Sequence, residues 1–476
     1  MATNRNFIVK QGIEVGLNAN AGSTWTANAI ISNKNDITAP PTLYLDFTSG
    51  FIDSRIISSR STTATYHAPN NKITVVSANT PRLDWDLNSG ACLGLVAEEQ
   101  RTNYCINSDI EGTLGQQPSA MFLASYADQT CVVSTDVWLG PNKQSAKHTR
   151  GTGPDNNVGY NTGTPPTPVA NQMITYSVYV YIPSNTTISS VGISIESGSL
   201  TINPAPQVFA NTSIRDKWQR IVGTAVSRSG TGSAAVVLRM DPAGAVVYSD
   251  CWQIEFGEYA STYIPTQTSS VTRAGDYSYM SLAGIHDPIS TGFSVITETS
   301  LKWTANSTTS VLVDSDGGAG ATRGPWSFIL STVPVTQFGG PPYYGYGAQY
   351  LYNDSYAFSL NSRVLANNLP GFASSGPAAF TQIPNTGYTF NTYTANTVLK
   401  SGYTISSTES KAILNGNSAS IAVGNVYSNS ISVDRLLLGA QYVGGIGPLD
   451  LGGHIRKFSY FPRLLSNNEL IALTET

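Results

Sequence analysis

The chain has 476 residues, which is too long for one hydrophobic core and predicts two or three domains of roughly 100 to 200 residues each. Charged residues make up only 12%, whereas glycine (43) and proline (25) are frequent. Long helices normally contain more Glu, Lys and Arg than this, so the composition indicates an all-β fold. The net charge is −4 and no Lys or Arg run occurs, which disfavours binding to nucleic acid or to an anionic membrane.

The sequence carries no targeting or redox signature. It has no apolar segment of signal-peptide length near its start and no run of about 18 apolar residues that could cross a bilayer. We therefore expect synthesis in the cytoplasm without membrane insertion. The cysteines, Cys92, Cys105, Cys131 and Cys251, lie far apart without a C-x-x-C pair, so we interpret them as reduced and structural.

Residues 1–38 begin with two short apolar runs around Lys10-Gln11-Gly12, a pattern typical of a small hairpin. The apolar residues of the predicted hairpin are Phe7, Ile8, Val9, Ile13 and Val15. Chain termini are usually disordered unless a partner or a sheet holds them. We interpret residues 1–38 as an attachment segment, with a frayed pair of strands as the alternative.

Residues 40–108 contain an ordered series of motifs, L-D-F-T-S-G at 45–50, N-T-P-R-L-D-W-D at 79–86 and G-L-V-A-E-E-Q-R-T-N at 94–103. The series resembles a segment of many tailed-bacteriophage tail fibre and tail-associated proteins, in which it precedes a carbohydrate-binding-module-like β-sandwich. The opening of the chain resembles virion proteins of phages that infect cyanobacteria. The matching residues are Asn79, Pro81, Arg82, Asp84, Asp86, Gly94, Leu95, Glu98, Glu99, Arg101, Thr102 and Asn103.

The charged residues of these motifs have two alternative roles. In the first, they pair with Arg82 and with backbone donors and fix a long extended segment against a sandwich, which sets geometry more than it adds stability. In the second, Asp84 or Asp86 works with Glu98 as the acid and base of a glycosidase. The residues assigned to the structural role are Arg82, Asp84, Asp86, Glu98, Glu99 and Arg101.

Residues 39–275 are predicted to form a jelly roll together with an extended lead segment, residues 40–108, that precedes it. Tyr176–Ile182 alternates at period two, and further strand patterns follow at 191–195, 221–226, 234–240 and 252–256. The closing stretch, W-Q-I-E-F-G at 252–257 and A-S-T-Y-I-P-T at 260–266, again resembles the phage carbohydrate-binding-like domain. Tyr179 and Tyr181 are candidate sugar contacts, because a tyrosine ring can stack on a pyranose while its hydroxyl stays solvated.

Residues 276–476 are predicted to form a second jelly roll. The stretch 453–474 resembles the final strand and short helix of laminin-G or concanavalin-like jelly rolls in phage tail proteins. Ser466 and Glu469 have the spacing of a helix capping box, and Leu465 with Leu470 that of a hydrophobic staple. Asn415-Gly416 predicts a tight hairpin turn between two strands.

A segment rich in tyrosine, glycine and proline occupies residues 339–352 of this second region. Such composition predicts an exposed loop in which tyrosine provides contact area at small entropic cost. The loop either contacts a glycan or receptor, or packs between subunits, because interfaces and binding surfaces share this composition. The tyrosines concerned are Tyr343, Tyr344, Tyr346, Tyr350 and Tyr352.

The sequence contains no G-x-S-x-G, H-E-x-x-H or Walker motif, so we predict no enzyme activity, no cofactor and no metal site. The resemblance implies a virion structural protein, a tail fibre or tail appendage that binds host-surface polysaccharide. Its expected partners are other virion proteins, through the N-terminal segment, and a host-surface glycan, with a homotrimer as the expected oligomer. The alternatives are a capsid decoration or tail-assembly protein without glycan binding, and a capsule depolymerase.

Overall fold

The computed structural model is built almost entirely from β-strands, which confirms the predicted all-β fold. It describes residues 5–9, 13–18, 26–31, 40–122, 128–154, 156–163, 172–197, 207–226, 234–281, 292–302, 309–316, 323–331, 359–364, 379–382, 396–405, 410–414, 416–421, 435–443 and 446–475. Among these residues, no helix is long and apolar enough to span a membrane.

The strands of the first part of the chain are short. They are β1 (Arg5–Val9), β2 (Ile13–Asn18), β3 (Thr26–Ile31), β4 (Leu43–Asp46), β5 (Ile57–Ser59), β6 (Ala64–His67), β7 (Ile73–Val76), β8 (Leu83–Trp85), β9 (Cys92–Ala97) and β10 (Arg101–Asn103). A 3-10 helix, Phe47–Ser49, follows β4.

Longer strands occupy the middle of the chain. They are β11 (Met121–Phe122), β12 (Thr130–Ser134), β13 (Ser145–Thr149), β14 (Asn157–Gly163), β15 (Met173–Tyr181), β16 (Ser190–Ser197), β17 (Val208–Phe209), β18 (Trp218–Val226), β19 (Ala234–Asp241), β20 (Val246–Phe256) and β21 (Val271–Arg273).

The remaining strands and a C-terminal helix follow. They are β22 (Tyr277–Ser281), β23 (Phe293–Leu301), β24 (Thr309–Asp316), β25 (Arg323–Ser331), β26 (Ser359–Val364), β27 (Ala379–Gln382), β28 (Val398–Ile405), β29 (Ser410–Leu414), β30 (Asn417–Ile421), β31 (Arg435–Leu438), β32 (Ala440–Val443), β33 (Ile446–Asp450), β34 (Gly453–Phe461) and α1 (Asn467–Thr474).

The chain divides into two compact units, one formed by Met1–Ile57 with Tyr277–Thr476 and the other by Ser58–Asp276. Our sequence-based division assigned residues 39–57 to the first sandwich. In the structure, β4 pairs antiparallel with β34, with Leu45 opposite Phe458. Backbone pairing therefore joins this short strand to the C-terminal unit, and the unit 58–276 contains the remainder of the lead segment.

The unit 58–276 is a β-sandwich. Its described residues include two five-stranded antiparallel sheets, ordered β12-β13-β20-β15-β18 and β11-β14-β19-β16-β17. The strands β13, β15, β18 and β20 in one sheet, with β14, β16, β17 and β19 in the other, have the order of an eight-stranded jelly roll. Val178, Val180 and Trp252 of the first sheet and Ile193 and Leu238 of the second share one buried core. This shared core confirms the sandwich that the period-two alternation of the strands predicts.

The outer face of the β12-β13-β20-β15-β18 sheet carries a second buried cluster. Tyr179, Tyr248 and Cys251 of this sheet pack with Ile73 and Tyr263 in that cluster. The lead segment therefore covers part of a sheet face that would otherwise expose aromatic side chains. Backbone pairing contributes as well, because the amide of Ile73 donates to the carbonyl of Leu139 at 3.0 Å.

The other unit contains two further antiparallel sheets. Within its described residues they run β27-β26-β25-β24-β31-β22 and β30-β29-β28-β23-β34, with β4 also paired to β34. The predicted hairpin between β29 and β30 is confirmed, because Leu414 of β29 faces Asn417 of β30 and Gly416 has a φ of 74°. The N-terminal hairpin is also present, with Phe7 opposite Val15.

Helix α1 begins as the sequence predicts. The Ser466 hydroxyl accepts from the amide of Glu469, and the Glu469 carboxylate accepts from the amide of Ser466 at 2.8 Å, forming the capping box. Leu465 and Leu470 share a buried cluster with Ile296 and Phe461. The predicted cap and staple are both confirmed, since each depends only on residues a few positions apart.

Candidate functional site

An open cleft of about 720 Å³ lies at one end of the outer face of the β12-β13-β20-β15-β18 sheet. Tyr181 at the end of β15, Lys147 of β13 and Tyr248 of β20 line it, together with the loop that follows β15. The lining residues are Val137, Lys147, Tyr181, Pro183, Ser184, Asn185, Thr186, Thr187, Asp216, Ala243, Gly244, Val246 and Tyr248. Concave sites that combine apolar surface with a few oriented polar groups are typical of small-ligand binding.

Aromatic rings form the apolar part of the cleft. The half-buried Tyr181 ring lies with its centroid 5.6 Å from the Trp218 ring and 6.1 Å from the Tyr248 ring. Trp218 and Tyr248 are 8% and 7% exposed, so the Tyr181 ring packs against two nearly buried aromatic rings. Because these contacts restrict its rotamers, the Tyr181 ring is held as a rigid surface before any ligand arrives.

Asp216 provides a fixed acceptor beside this ring. Its Oδ1 accepts from the amide of Ser184 at 2.9 Å and from the hydroxyl of Tyr181 at 3.3 Å. The hydrogen bonds from Ser184 hold the pKa of this exposed carboxyl below its ordinary value. Asp216 also has a φ of 55°, a left-handed conformation that is uncommon for residues other than glycine. The strand entering at Trp218 therefore starts from a constrained residue that directs its carboxylate towards Tyr181 and Ser184.

A second polar group sits on the opposite side of Tyr248. Lys147 Nζ lies 3.0 Å from Asp136 Oδ2 and 5.5 Å above the centre of the Tyr248 ring. The Tyr248 hydroxyl donates to the same Asp136 oxygen at 2.8 Å. Hydrogen bonds from Tyr248 and Lys147 hold the pKa of Asp136 below its ordinary value, and Asp136 raises the pKa of Lys147. Both groups are therefore charged at neutral pH.

The two tyrosines predicted on β15 have different environments. Tyr181 lines the cleft, as a sugar contact requires. Tyr179 is fully buried, its hydroxyl lies 2.7 Å from His67 Nε2, and the Arg220 guanidinium covers its ring at 5.2 Å. Assigning Tyr179 as a sugar contact was wrong, because the lead segment covers that part of the sheet face and leaves no solvent-accessible ring.

The predicted structural pairing of Arg82 with Glu98 is confirmed. Arg82 Nη2 lies 3.0 Å from Glu98 Oε2 and 2.6 Å from Asp276 Oδ2, and these side chains are almost fully buried. Arg60 Nη1 binds the other Asp276 oxygen at 2.8 Å, and Arg273 Nη2 lies 3.3 Å from Glu98 Oε2. This cluster fixes the lead segment to the chain that follows β21.

The other motif charges bind elsewhere. Asp84 Oδ1 accepts from the amide of His67 at 2.7 Å and lies 3.1 Å from His67 Nδ1. Asp86 Oδ1 closes a turn by accepting from the amide of Ser89 at 2.7 Å. Glu99 forms an ion pair with Arg101. Asp84 and Asp86 were expected to pair with Arg82 and with backbone donors. Both accept hydrogen bonds from backbone amides, Asp84 from His67 of β6 and Asp86 from Ser89.

These positions argue against the glycosidase alternative. Glu98 is 0% exposed, and its two oxygens accept from the amide and hydroxyl of Thr262 at 2.9 and 2.6 Å. Asp84 is 2% exposed and engaged by His67. A general acid must reach the glycosidic oxygen, and a carboxylate enclosed by arginine and threonine cannot do so.

Asp109 and Asp250 form a buried pair of carboxyls beside Cys251, with ligand atoms within 4.8 Å of one another. Burial and, to a smaller extent, the negative charge of Asp250 raise the pKa of Asp109 to about 8. Burial likewise raises the pKa of Asp250 to about 6. Asp250 Oδ2 already accepts from the amides of Leu139 and Gly140 at 2.9 and 2.8 Å. Burial and the like charge of Asp250 therefore favour the protonated form of Asp109.

Two groups of predicted site residues lie outside the side chains that the structure describes. Tyr343, Tyr344, Tyr346, Tyr350 and Tyr352 lie outside the described residues. Phe7, Ile8, Val9, Ile13 and Val15 lie in the described strands β1 and β2, whose backbone alone is described. Their assignments to receptor contact and virion attachment stay predictions.

Sequence reasoning missed most of the cleft. Trp218 is nearly buried and its ring contacts Tyr181, a contact that no sequence pattern predicts. Lys147, Asp216 and Tyr248 gave no motif, because they come from three separate strands or turns. The one available signal was Asp216-Lys217-Trp218, a polar turn leading directly into an aromatic strand residue.

Comparison with known proteins gives structural likeness only. Neither a protein-family model nor a curated protein matches the chain. The CBM40 of the Ruminococcus gnavus IT-sialidase is 13% identical, with a TM-score of 0.27, and the match covers 39% of this chain and 83% of that one. The same module bound to alpha2,3 sialyllactose is 14% identical, with a TM-score of 0.26 over the same shares. The CBM22-1-CBM22-2 tandem domain of Paenibacillus barcinonensis Xyn10C is 12% identical, with a TM-score of 0.25, over 77% of this chain and 97% of that one.

Proposed function

We propose that this chain is a structural protein of a bacteriophage virion, a tail fibre or tail appendage, that binds a host-surface glycan without chemically altering it. The observation that carries the binding proposal is the cleft in which the half-buried Tyr181 ring lies between Asp216 and Tyr248. A pyranose presents an apolar face of C–H groups and a rim of hydroxyls. An aromatic ring flanked by carboxylate and hydroxyl groups matches both parts.

The virion part of the proposal rests on the sequence. The motifs at 45–50, 79–86 and 94–103 follow one another in the order found in tail fibre proteins. In this chain they build the lead segment, whose Arg82 and Glu98 take part in a buried ion cluster. We assign the N-terminal hairpin of β1 and β2 to attachment, and the homotrimer to multivalent binding, since several weak sites on one particle gain avidity.

The test is binding of the purified full chain to host cells and to a glycan array, beside Tyr181→Ala. Phe209→Ala is the matched control, because Phe209 is an exposed aromatic (55%) on β17 of the opposite sheet. We expect Tyr181→Ala to weaken binding at least about tenfold, as loss of an aromatic anchor does, and Phe209→Ala to leave it unchanged. Thermal melts of both variants exclude unfolding as the cause.

A third variant, with Tyr343, Tyr344 and Tyr346 changed to Ala, assigns the binding to one region. If only this variant loses binding, the glycan site lies in the tyrosine-rich segment and not in the cleft. If the wild-type chain binds neither cells nor any glycan, the binding proposal fails and a purely structural virion role, as a capsid decoration or tail-assembly protein, replaces it. Mass photometry tests the trimer directly, and a monomer or dimer contradicts it.

A further inference from the structure

We infer that the cleft selects uncharged glycans, built from neutral hexoses or N-acetylhexosamines, over glycans that carry uronic or sialic acid. The inference rests on the proposed glycan binding and names its ligand class. It follows from the charged residues that line the cleft, where Lys147 is paired with Asp136 and Asp216 is negative.

Lys147 is the cation among the described residues that line the cleft, and it is already neutralised. Its Nζ binds Asp136 at 3.0 Å, and the Tyr248 hydroxyl shares the same acceptor oxygen. The Asp136 side chain is 55% exposed and that of Lys147 37%, so a ligand reaching the ammonium also meets the carboxylate. An acidic sugar would have to break the ion pair between Lys147 and Asp136. The new ion pair of the sugar with Lys147 would be solvated and would add little affinity.

Asp216 makes the other side of the cleft negative. Its Oδ1 accepts two hydrogen bonds, from Ser184 and Tyr181, whereas a carboxylate can accept about four in total. The remaining acceptor capacity suits pyranose hydroxyls, which donate. A sugar carboxylate at this position would place two like charges together and lower the affinity.

The arginine nearest in sequence to Asp216 does not reverse this balance. Arg215 Nη1 donates to the carbonyls of Pro183 and Thr186 at 3.2 and 3.0 Å, under the loop that follows β15. That guanidinium holds the loop in place and is not among the residues that line the cleft. The rest of this wall is neutral and polar, with exposed Ser184, Asn185 and Thr187 able to donate to and accept from hydroxyls.

The cleft is open beside Gly244, one of its lining residues. Gly244 has a φ of 81°, and a Cβ built on it would meet nothing within 4 Å. A cleft of about 720 Å³ exceeds one monosaccharide and accommodates a short oligosaccharide. Neutral hydroxyls along such a ligand find an acceptor at Asp216 and donors at Lys147 and Asn185.

The experiment measures binding of the full chain to acidic polysaccharides and to their carboxyl-reduced forms, which keep the same linkages and lose only the charge, alongside a panel of neutral oligosaccharides. We expect each bound reduced form to bind at least about tenfold more tightly than its acidic parent, a difference near 1.4 kcal/mol. Binding of neutral glycans should change little between about 50 and 300 mM salt, because no ion pair with the ligand is formed.

Asp136→Asn tests the charge argument separately from the hydrogen bonds. The substitution keeps an acceptor for Tyr248 but frees the charge of Lys147, so affinity for acidic glycans should rise roughly threefold or more. Tyr181→Ala should abolish binding of every glycan that the cleft takes.

The outcomes separate the two proposals. If the acidic forms bind as tightly as the reduced forms or more tightly, and Tyr181→Ala abolishes that binding, the cleft binds glycans but the charge selectivity is refuted. If the folded chain binds neither form nor any neutral oligosaccharide, glycan binding itself is refuted. Stronger binding of the reduced forms with an Asp136→Asn gain for the acidic ones supports both.

Discussion

Arg82 and Asp276 are separated by 194 residues in the sequence, and their side chains form a buried ion pair with Nη2 and Oδ2 2.6 Å apart. Burial alone would raise the pKa of Asp276, but the charges of Arg82 and Arg273 outweigh it and hold the pKa below its ordinary value. One carboxylate thereby ties the lead segment to the chain that follows the sandwich.

We predict that Asp276→Ala destabilises the unit 58–276 by about 3–5 kcal/mol, because it removes the counter-charge of buried Arg60 and one of the two carboxylates that bind Arg82. Urea denaturation followed by tryptophan fluorescence measures the change. Glu196→Ala is the control, since the pair of Glu196 with Arg239 is partly exposed and should contribute no more than about 1 kcal/mol. Equal losses in the free energy of unfolding from the two substitutions would show that the buried cluster stabilises the unit no more than an exposed ion pair does.

The Asp109–Asp250 pair predicts a pH dependence of stability. Unfolded aspartate titrates near about 3.9, whereas burial raises the pKa of folded Asp109 to about 8. Between these values the folded state binds more protons, so this group lowers the free energy of unfolding as the pH rises from about 4 to about 8.

Asp109→Asn removes that titration while keeping an oxygen for the amide of Asn142, which donates to Asp109 Oδ2 at 3.0 Å. Relative to wild type, the variant should gain stability at about pH 8.5, and the gain should shrink towards about pH 4. Urea titrations at several pH values measure the difference. A difference that is constant with pH would mean that Asp109 does not carry the shifted proton.

Gly257 is predicted to reject any side chain. Its φ is 134°, and a Cβ would overlap the guanidinium of Arg101, which is 6% exposed and donates to the carbonyl of Phe256. Gly257→Ala should therefore cost more than about 2 kcal/mol. Gly115→Ala is the matched control, because Gly115 has a φ of 75° with nothing within 4 Å of the added Cβ and should show only the backbone cost of about 1 kcal/mol.

The capping box of α1 gives a prediction for the C-terminal unit. Ser466→Ala removes the hydroxyl that accepts from the amide of Glu469 and should destabilise the helix by about 1 kcal/mol. Hydrogen exchange of the first-turn amides measures the loss. Asn468→Ala changes an exposed residue one position before Glu469, outside the cap, and should leave exchange unchanged or slower. Faster exchange in both variants would point to general fraying.

Features that depend on neighbours along the chain could be predicted from the amino-acid sequence. Period-two alternation located β15, the Asn415-Gly416 turn located a hairpin, and Ser466 with Glu469 located the start of α1. Each of these is set by local backbone preference and side-chain alternation, which a linear pattern records directly.

The contacts between side chains that are distant along the chain became visible in the folded structure. Tyr179 and Tyr181 are equivalent in the sequence pattern, yet the lead segment buries the first and leaves the second in an open cleft. Glu98 belongs to a predicted motif, but its partners Arg273 and Thr262 lie far away in the chain. The cleft likewise combines Lys147, Asp216 and Tyr248 from separate strands and turns. Such contacts depend on how sheets and segments pack, which no local pattern encodes, so the candidate site emerged from the fold.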